Sequence, residues 1–159
     1  MASRTILGID PGYGRMGFGM IKTDGRSQEA IDFGVITTET VEFGQRLLTV
    51  AKDLETLLNT HKPDVIALEE LFLTKNTKTA IKVAEARGIV LLKAAERGIP
   101  VIELTPSQAK AALTGDGKAP KSAMQQMTRR LLNLPRSVKS DDAADALAFA
   151  IAASTMKTF

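Results

Sequence analysis

The chain has 159 residues, the size of one ordinary domain, and its 44 % hydrophobic and 25 % charged residues are typical of a folded globular protein. It has no Cys, which excludes disulfides, thiolate nucleophiles and Cys-bound zinc, and its single His excludes a His-rich metal site. The net charge of +3 is weak evidence for any partner.

Turn residues separate apolar segments of two kinds along the chain, short strand-like runs and longer segments with helical spacing. The first three strands are joined by glycine-containing turns and predict an antiparallel meander. Strands then alternate with helices, which indicates parallel strands. The predicted strands are 5–10, 16–22, 30–37, 64–69 and 100–104, and the predicted helices are 45–60, 77–98, 106–113, 119–132 and 140–156.

These elements predict the α/β class, with a mixed five-stranded sheet flanked by helices in a single domain over residues 1–159. Neither the N-terminal apolar run nor the one over residues 143–156 fits a signal peptide or a membrane span. We therefore expect a cytoplasmic protein with no membrane partner.

Positive charge is concentrated in the middle of the chain. Residues 74–139 contain 13 Lys or Arg and 4 Asp or Glu, whereas residues 1–73 contain 7 and 11, and residues 140–159 contain 1 and 3. The block is either a solvated helical face or a surface that binds phosphates. Its most suggestive members are Lys75, Lys78 and Lys82, which share one helix face by spacing, and Lys118 and Lys121, which lie near two glycines.

Four carboxylates stand where an acid is unexpected. Asp10 and Glu69 each end an apolar strand, and Asp142 and Asp145 share one face of the last helix. The first three have ordinary alternatives, namely a turn residue, a solvated strand end and an acid at a helix N-terminus. Asp145 has no such ordinary explanation. It is the only charged residue between residues 143 and 156, in a helix whose composition predicts burial.

Two acids at strand ends and two on one helix face can converge on one point. Four carboxylates suit Mg²⁺ or Mn²⁺, and their charge would balance two such ions. Two ions about 4 Å apart can activate a water and stabilise the leaving oxygen in phosphodiester cleavage. The sequence thus predicts a metal-dependent nuclease, in which the basic block holds a polyanion.

Five stretches carry a family resemblance in order and spacing. They are Leu7-Gly-Ile-Asp-Pro-Gly12, Ala67-Leu-Glu-Glu-Leu-Phe72, Lys75-Asn76, Ala86-Arg-Gly88 and Asp142-Ala-Ala-Asp-Ala-Leu-Ala148. The chain resembles the bacterial RuvC crossover-junction endodeoxyribonucleases, which have an RNase H-like fold. The resemblance implies a Mg²⁺-dependent enzyme of DNA recombination and repair that cuts four-way junctions symmetrically, leaving 5′-phosphate and 3′-hydroxyl ends.

The resemblance also implies residue roles. Asp10, Glu69, Asp142 and Asp145 become catalytic metal ligands, with Glu69 chosen over Glu70 by its alignment with Phe72. Lys121 becomes a catalytic cation at the scissile phosphate. Candidate DNA contacts, from the resemblance or from the basic block, are Phe72, Lys75, Asn76, Lys78, Lys110 and Lys118. A core position for Phe72 and a helix cap at Asn76 are the ordinary alternatives.

The implied partners are a second copy of the chain and a branch-migration motor. A homodimer suits symmetric cutting of a two-fold junction, and helix 77–98 is the candidate interface, although its apolar positions also fit a core helix. Three other functions are alternatives. The first is an ATP-dependent sugar kinase or actin-like protein, which needs a much longer chain. The others are a non-cleaving junction-binding module and a member of another short RNase H-like family. The four acids and the Asp142-Ala-Ala-Asp145 helix disfavour the last two.

Overall fold

The computed structural model describes residues 2–39, 41–72 and 76–156. These residues form a sheet of five strands in the order β3-β2-β1-β4-β5, together with five helices. The strands are β1 (Arg4–Asp10), β2 (Arg15–Thr23), β3 (Gln28–Thr37), β4 (Val65–Glu69) and β5 (Val101–Leu104). The helices are α1 (Phe43–His61), α2 (Thr77–Glu96), α3 (Pro106–Thr114), α4 (Lys121–Leu131) and α5 (Asp141–Ser154).

The sheet is mixed, as predicted. β1, β2 and β3 pair antiparallel, whereas β4 pairs parallel with β1 and β5 pairs parallel with β4. The antiparallel half follows from two short turns, and the parallel half follows because the chain crosses over through a helix before each returning strand. The carboxyl ends of β1, β4 and β5 therefore meet at the same edge of the sheet.

Both faces of the sheet are buried, each against a different set of helices. Alternation along β1 places Leu7 and Ile9 with Val50 and Leu54 of α1 in one apolar cluster. The other face packs against α5 and belongs to a second cluster, whose largest members include Ile6, Val65, Leu104, Leu147 and Phe149. The sheet thus separates α1 and α2 from α5, and it presents every second strand residue to α5.

Helix α5 lies unusually close to the sheet because glycines face it. A Cβ atom on Gly8 would lie 1.8 Å from the carbonyl oxygen of Ala146, and one on Gly19 would lie 2.7 Å from Cγ of Leu147. Alanines dominate the helix, and every residue from Ala143 to Ala153 except Asp145 is buried. The predicted burial of this helix is confirmed, and glycine opposite alanine is what allows the close contact.

The predicted boundaries differ from the observed ones mainly at helix ends. α2 ends at Glu96, because Arg97 caps it and Gly98 turns the chain with a positive φ of 62°. α4 begins at Lys121, because Pro120 is its N-cap. Among the described residues, no helix is both long and apolar enough to cross a membrane.

The buried face of α2 is also different from the one that its larger side chains suggest. Ala80, Ala86, Val90 and Ala94 are buried, whereas Ile81 and Leu92 are 53 % and 54 % exposed. Helix α1 packs against α2, and the small buried residues allow that contact. The core and an interface were the two predicted alternatives for the apolar positions of this helix. The small residues lie in the core, whereas the two large ones do not.

The close contact of α5 is testable with two glycine substitutions. We expect Gly8→Ala to lower the free energy of unfolding by about 3 kcal/mol or more, because its methyl group would overlap backbone atoms of α5. Gly88→Ala is the matched control, since a Cβ at this α2 position would meet no atom within 4 Å. It should raise stability by about 0.5–1 kcal/mol. Denaturant unfolding measures both, and equal stabilities would contradict the packing argument.

Candidate metal centre and nucleic-acid interface

Asp10 and Glu69 lie side by side at the carboxyl ends of two parallel strands. The register pairs Ile9 with Leu68, so the next residue of each strand lies beside the other. Because side chains alternate, Asp10 shares the face of Gly8 and Glu69 shares the face of Ala67, which is the side covered by α5. The interaction with Glu69 helps to raise the pKa of Asp10 and so favours its protonated form.

Asp142 is brought to the same corner by another glycine. Gly17 pairs directly with Asp10 across β1 and β2, and a Cβ atom there would lie 2.1 Å from the carbonyl oxygen of Asp142. The first turn of α5, which the Ser140 side chain caps by accepting from the Ala143 N–H, therefore lies over the strand position next to Asp10. Asp145 follows one turn later, on the same helix face.

Two cations contact the acids of α5. Nε of Arg15 lies 3.3 Å from Oδ2 of Asp142, and Nζ of Lys121 lies 3.6 Å from Oδ2 of Asp145. Lys121 is also 3.3 Å from Oδ2 of Asp141, a residue that the sequence did not single out. Both cations are more than half exposed, so an incoming anion can reach them.

The acids raise one another's pKa. Burial raises the pKa of Asp10 to about 9, helped by its hydrogen bond with Glu69 and by the charges of Glu69, Asp145 and Asp142. Burial also raises the pKa of Glu69, with a smaller contribution from the charge of Asp145, although the hydrogen bond from Asp10 opposes the shift. We therefore assign the protonated form to Asp10. Burial raises the pKa of Asp145 as well, against the lowering effect of Lys121.

The carboxylates fit a hard cation by chemistry more than by preformed geometry. No group of three or more His, Asp or Glu side chains is arranged as a ready cage in the part of the chain that the structure describes. Asp142 and Asp145 contact Arg15 and Lys121 instead. However, the charge of Glu69 helps to raise the pKa of Asp10, and a divalent cation with oxygen ligands would offset the same repulsion. The metal-ligand assignment stays a prediction.

Lys121 is the first residue of α4, and its charge is stabilised by this corner. Desolvation is the largest single effect and acts against the charged form, but the charges of Asp145 and Asp141 and their hydrogen bonds together outweigh it and raise the pKa of Lys121. The side chain is therefore a cation at every physiological pH. Its position beside Asp145 is consistent with the predicted catalytic cation.

Arg87 of α2 lies in the Ala86-Arg-Gly88 stretch and was not a predicted site residue. Its largely buried side chain contacts the end of β4. Its Nε donates a hydrogen bond of 3.2 Å to the carbonyl oxygen of Glu69, and its Nη2 contacts the carboxylate of Glu103 on β5. The guanidinium thus links the end of β4, which carries Glu69, to β5. The spacing of the sequence could have indicated this position. Arg87 lies three residues before Val90 and seven before Ala94, which places it on the buried side of the helix.

The other predicted contacts differ in their placement. Phe72 is 55 % exposed directly beyond β4, so a core position is wrong and a stacking role stays open. Asn76 caps α2, since its side-chain oxygen accepts from the Thr79 N–H at 3.2 Å. Lys78 and Lys118 are exposed, whereas Lys75 lies outside the described residues.

A cleft opens next to the acids, between α3, α4 and α5. Its volume is about 220 Å³, and it is bounded by the carboxylates of Glu69 and Asp145 on one side and by Lys110 and Lys121 on another. The remaining wall is apolar and includes Met124 and Phe149. Lys110, predicted as a DNA contact, therefore faces the same space as Lys121.

The mixed sheet, with acids at two adjacent strand ends under a helix that carries two more, defines a nuclease of the RNase H-like class. Residues 6–153 match the family described as Crossover junction endodeoxyribonuclease RuvC. The chain belongs to this family, whose members are metal-dependent nucleases. The predicted family resemblance is confirmed.

Individual relatives agree with this membership. The chain is 46 % identical to a RuvC of Ruminiclostridium cellulolyticum and 48 % identical to one of Petrotoga mobilis, over 92 % and 91 % of its length and 89 % and 90 % of theirs. Its structure is similar to that of Thermus thermophilus RuvC in complex with a Holliday junction substrate, with a TM-score of 0.90 and 32 % identity. That comparison covers 94 % of this chain and 92 % of the other.

The electrostatic strain of the site predicts a pH-dependent stability in the absence of divalent cations. Because the folded-state pKa of Asp10 is raised to about 9 from 3.8, the folded protein binds more protons than the unfolded one between these values. Stability should therefore increase as pH falls from 9 towards 4. Asp10→Asn removes the charge, so in EDTA its melting temperature should exceed that of the wild type most at pH 9 and converge with it near pH 4.

Added Mg²⁺ or Mn²⁺ supplies the control for this prediction. Either ion should raise the melting temperature of the wild type at pH 8 and raise that of Asp10→Asn much less. A variant that is less stable than the wild type in EDTA at pH 9 would contradict the proposed repulsion.

Proposed function

We propose that this member of the RuvC family resolves four-way DNA junctions with Asp10, Glu69, Asp142 and Asp145 as ligands of two Mg²⁺ ions, for which Mn²⁺ can substitute. The observation that carries the proposal is the placement of these acids at one corner of the sheet. Asp10 lies beside Glu69 at two adjacent strand ends, and Gly17, the cross-strand partner of Asp10, lies against the turn of α5 that carries Asp142. Such a corner favours the binding of divalent cations.

Bound divalent cations would supply an activated water and stabilise the departing oxygen of the phosphodiester. The chain's own residues have separate tasks. Asp10 and Glu69 would hold a cation in their ionised forms, and the paired strand ends fix the positions of both residues. Lys121 and Lys110 face the same cleft and would hold the scissile phosphate by its non-bridging oxygens.

Lys121 must change partners for this task. Its contacts with Asp141 and Asp145 are 3.3 Å and 3.6 Å long, and its side chain is half exposed. A cation held by Asp145 would weaken the attraction between this carboxylate and the lysine, and a phosphate oxygen would then be the better partner for Lys121. The same argument applies to Arg15, which lies 3.3 Å from Asp142.

The substrate has two-fold symmetry, and we propose a homodimer to match it. Ile81, Glu85, Gly88 and Leu92 follow one another along α2 at helical spacing, and all four are exposed. Two large apolar side chains on either side of a glycine form a stripe on which the same helix of a second copy can pack. Two acidic corners would then act on one junction.

The biological setting follows from the family. Junction resolution belongs to DNA recombination and repair, and a cytoplasmic protein acting with a branch-migration motor is what the resemblance implies.

The metal-ligand assignment is tested by two adjacent glutamates. Glu69→Gln should bind a synthetic four-way junction as the wild type does but should cut it in Mg²⁺ at least about a hundredfold more slowly, because a ligand of a cation that lowers the barrier by several kcal/mol is lost. Glu70→Gln is the matched control. The backbone N–H of Glu70 pairs with the Leu104 oxygen at 2.8 Å, a contact that this substitution leaves in place. Equal cleavage by the two variants would refute the assignment.

Phe72 tests the interface with junction DNA. Because its ring is 55 % exposed, Phe72→Ala should change the free energy of unfolding little, but it should slow cleavage if the ring stacks on bases. Phe33→Ala serves as a control, since this ring is 39 % exposed on β3, two strands from the acids. Wild-type cleavage by Phe72→Ala would remove the stacking role.

A further inference from the structure

Two cations and two aromatic rings form a cluster at the turn that follows Asp10. We call Tyr13, Phe43, Arg46 and Lys82 the aromatic–cation cluster. The rings of Tyr13 and Phe43 meet edge to face with centroids 5.6 Å apart. Nζ of Lys82 lies 5.4 Å from both ring centroids, and Cζ of Arg46 lies 5.6 Å from that of Tyr13.

The structure shows no carboxylate partner for the positive charges of this cluster among the residues that it describes. Within residues 2–39, 41–72 and 76–156, neither Arg46 nor Lys82 forms an ion pair within 4 Å. The neighbouring acid in sequence, Glu42, caps α1 by accepting from the N–H groups of Gly44 and Gln45. Both half-buried cations lie against the Tyr13 ring, so an anion that approaches this ring would be attracted by both.

The cluster is held rigidly relative to the acidic corner. Tyr13 lies in the turn between β1 and β2, three residues after Asp10 and two before Arg15. Oγ1 of Thr38, just beyond β3, donates to the Tyr13 carbonyl oxygen at 2.6 Å. Lys82 is one helical turn after the exposed Lys78, so the two lie on the same side of α2. A row of positive charge thus runs from the start of α2 to the turn behind Asp10.

From these contacts we propose that the aromatic–cation cluster binds one backbone phosphate of a DNA arm, separate from the phosphate that is cut. Arg46 and Lys82 donate to its non-bridging oxygens, and the faces of Tyr13 and Phe43 keep the two cations in position before DNA arrives. Arginine suits this place because its planar guanidinium can stack on a ring while its N–H groups remain free. The inference rests on the proposed function for the identity of the polyanion.

The salt dependence of DNA binding tests the proposal directly. Each phosphate contact contributes about 0.9 to the slope of log Kd against log salt on duplex DNA. Because both cations contact a single phosphate, the double variant of Arg46→Gln and Lys82→Gln should reduce the slope for a four-way junction by about 0.9, and each single variant should reduce it by no more than that. Arg46→Lys, which keeps the charge, should retain the slope. Lys22→Gln is the control, since Lys22 is exposed near the opposite end of β2 and should leave the slope unchanged.

The rings are tested separately from the charges. Tyr13→Leu keeps both cations but removes the π face, so it should weaken binding with the slope nearly unchanged, whereas Tyr13→Phe should behave as the wild type. A methylphosphonate scan of one junction arm then locates the phosphate. The wild type should lose affinity when one particular phosphate is neutralised, and the double variant should be insensitive at that position.

The outcomes separate this inference from the proposed function. Unchanged slopes in the charge variants, with normal junction binding by the wild type, would overturn the cluster's role and leave junction resolution intact. If the wild type bound plain duplex as tightly as a junction, junction selectivity would fail, while a reduced slope in the variants would still support the cluster. Variants that alter the mass of the assembly in solution but not the slope would show that the cluster contacts a second copy, which refutes the proposal.

Discussion

The close approach of α5 to β1 and β2 is the constraint on which the rest of the structure depends. Gly8, Gly17 and Gly19 leave no side chain between the helix and the sheet, and a Cβ atom at any of them would overlap α5. Since Gly17 is also the cross-strand partner of Asp10, the contact that packs the core brings the acids of the helix to the acid of the strand. Core packing and site geometry are therefore the same interaction, and a larger residue at Gly17 would disturb both.

That arrangement has an electrostatic cost, which the rest of the protein offsets. The acids resist ionisation because burial and mutual repulsion disfavour charge. Arg15 and Lys121 compensate on the open side, and Arg87 fixes the strand end from behind. The apolar clusters on both faces of the sheet supply the stability that allows such a corner to persist. A site that is destabilising without cations is what a selective cation-binding site requires, because binding then relieves repulsion.

Most of the fold could be predicted from local patterns. Strands β1 and β4 are apolar runs that end in an acid, and α5 combines one isolated charge with small apolar residues, so their placement followed from burial alone. Less could be predicted where partners are distant in sequence. The buried face of α2 depends on the small residues that α1 can approach, which left Ile81 and Leu92 exposed. The contact of Lys121 with Asp141 needed the tertiary structure. Spacing could place Arg87 on the buried side of α2, but only the tertiary structure shows that it contacts the ends of β4 and β5.

The net charge of +3 does not show that acidic and basic groups are concentrated in different parts of the chain. Neutralising four of the 18 acids with cations would leave a net charge of +7. Some of the basic residues lie close to the acidic corner. Lys110 and Lys121 border the cleft, while Arg46 and Lys82 lie behind the turn that follows Asp10. Without cations the acids repel a phosphate that these groups attract, so affinity for the backbone and access to the corner oppose each other. On the proposed metal-ligand assignment, bound divalent cations would remove that opposition, and the placement of DNA at the corner would then depend on the ions that cleavage requires.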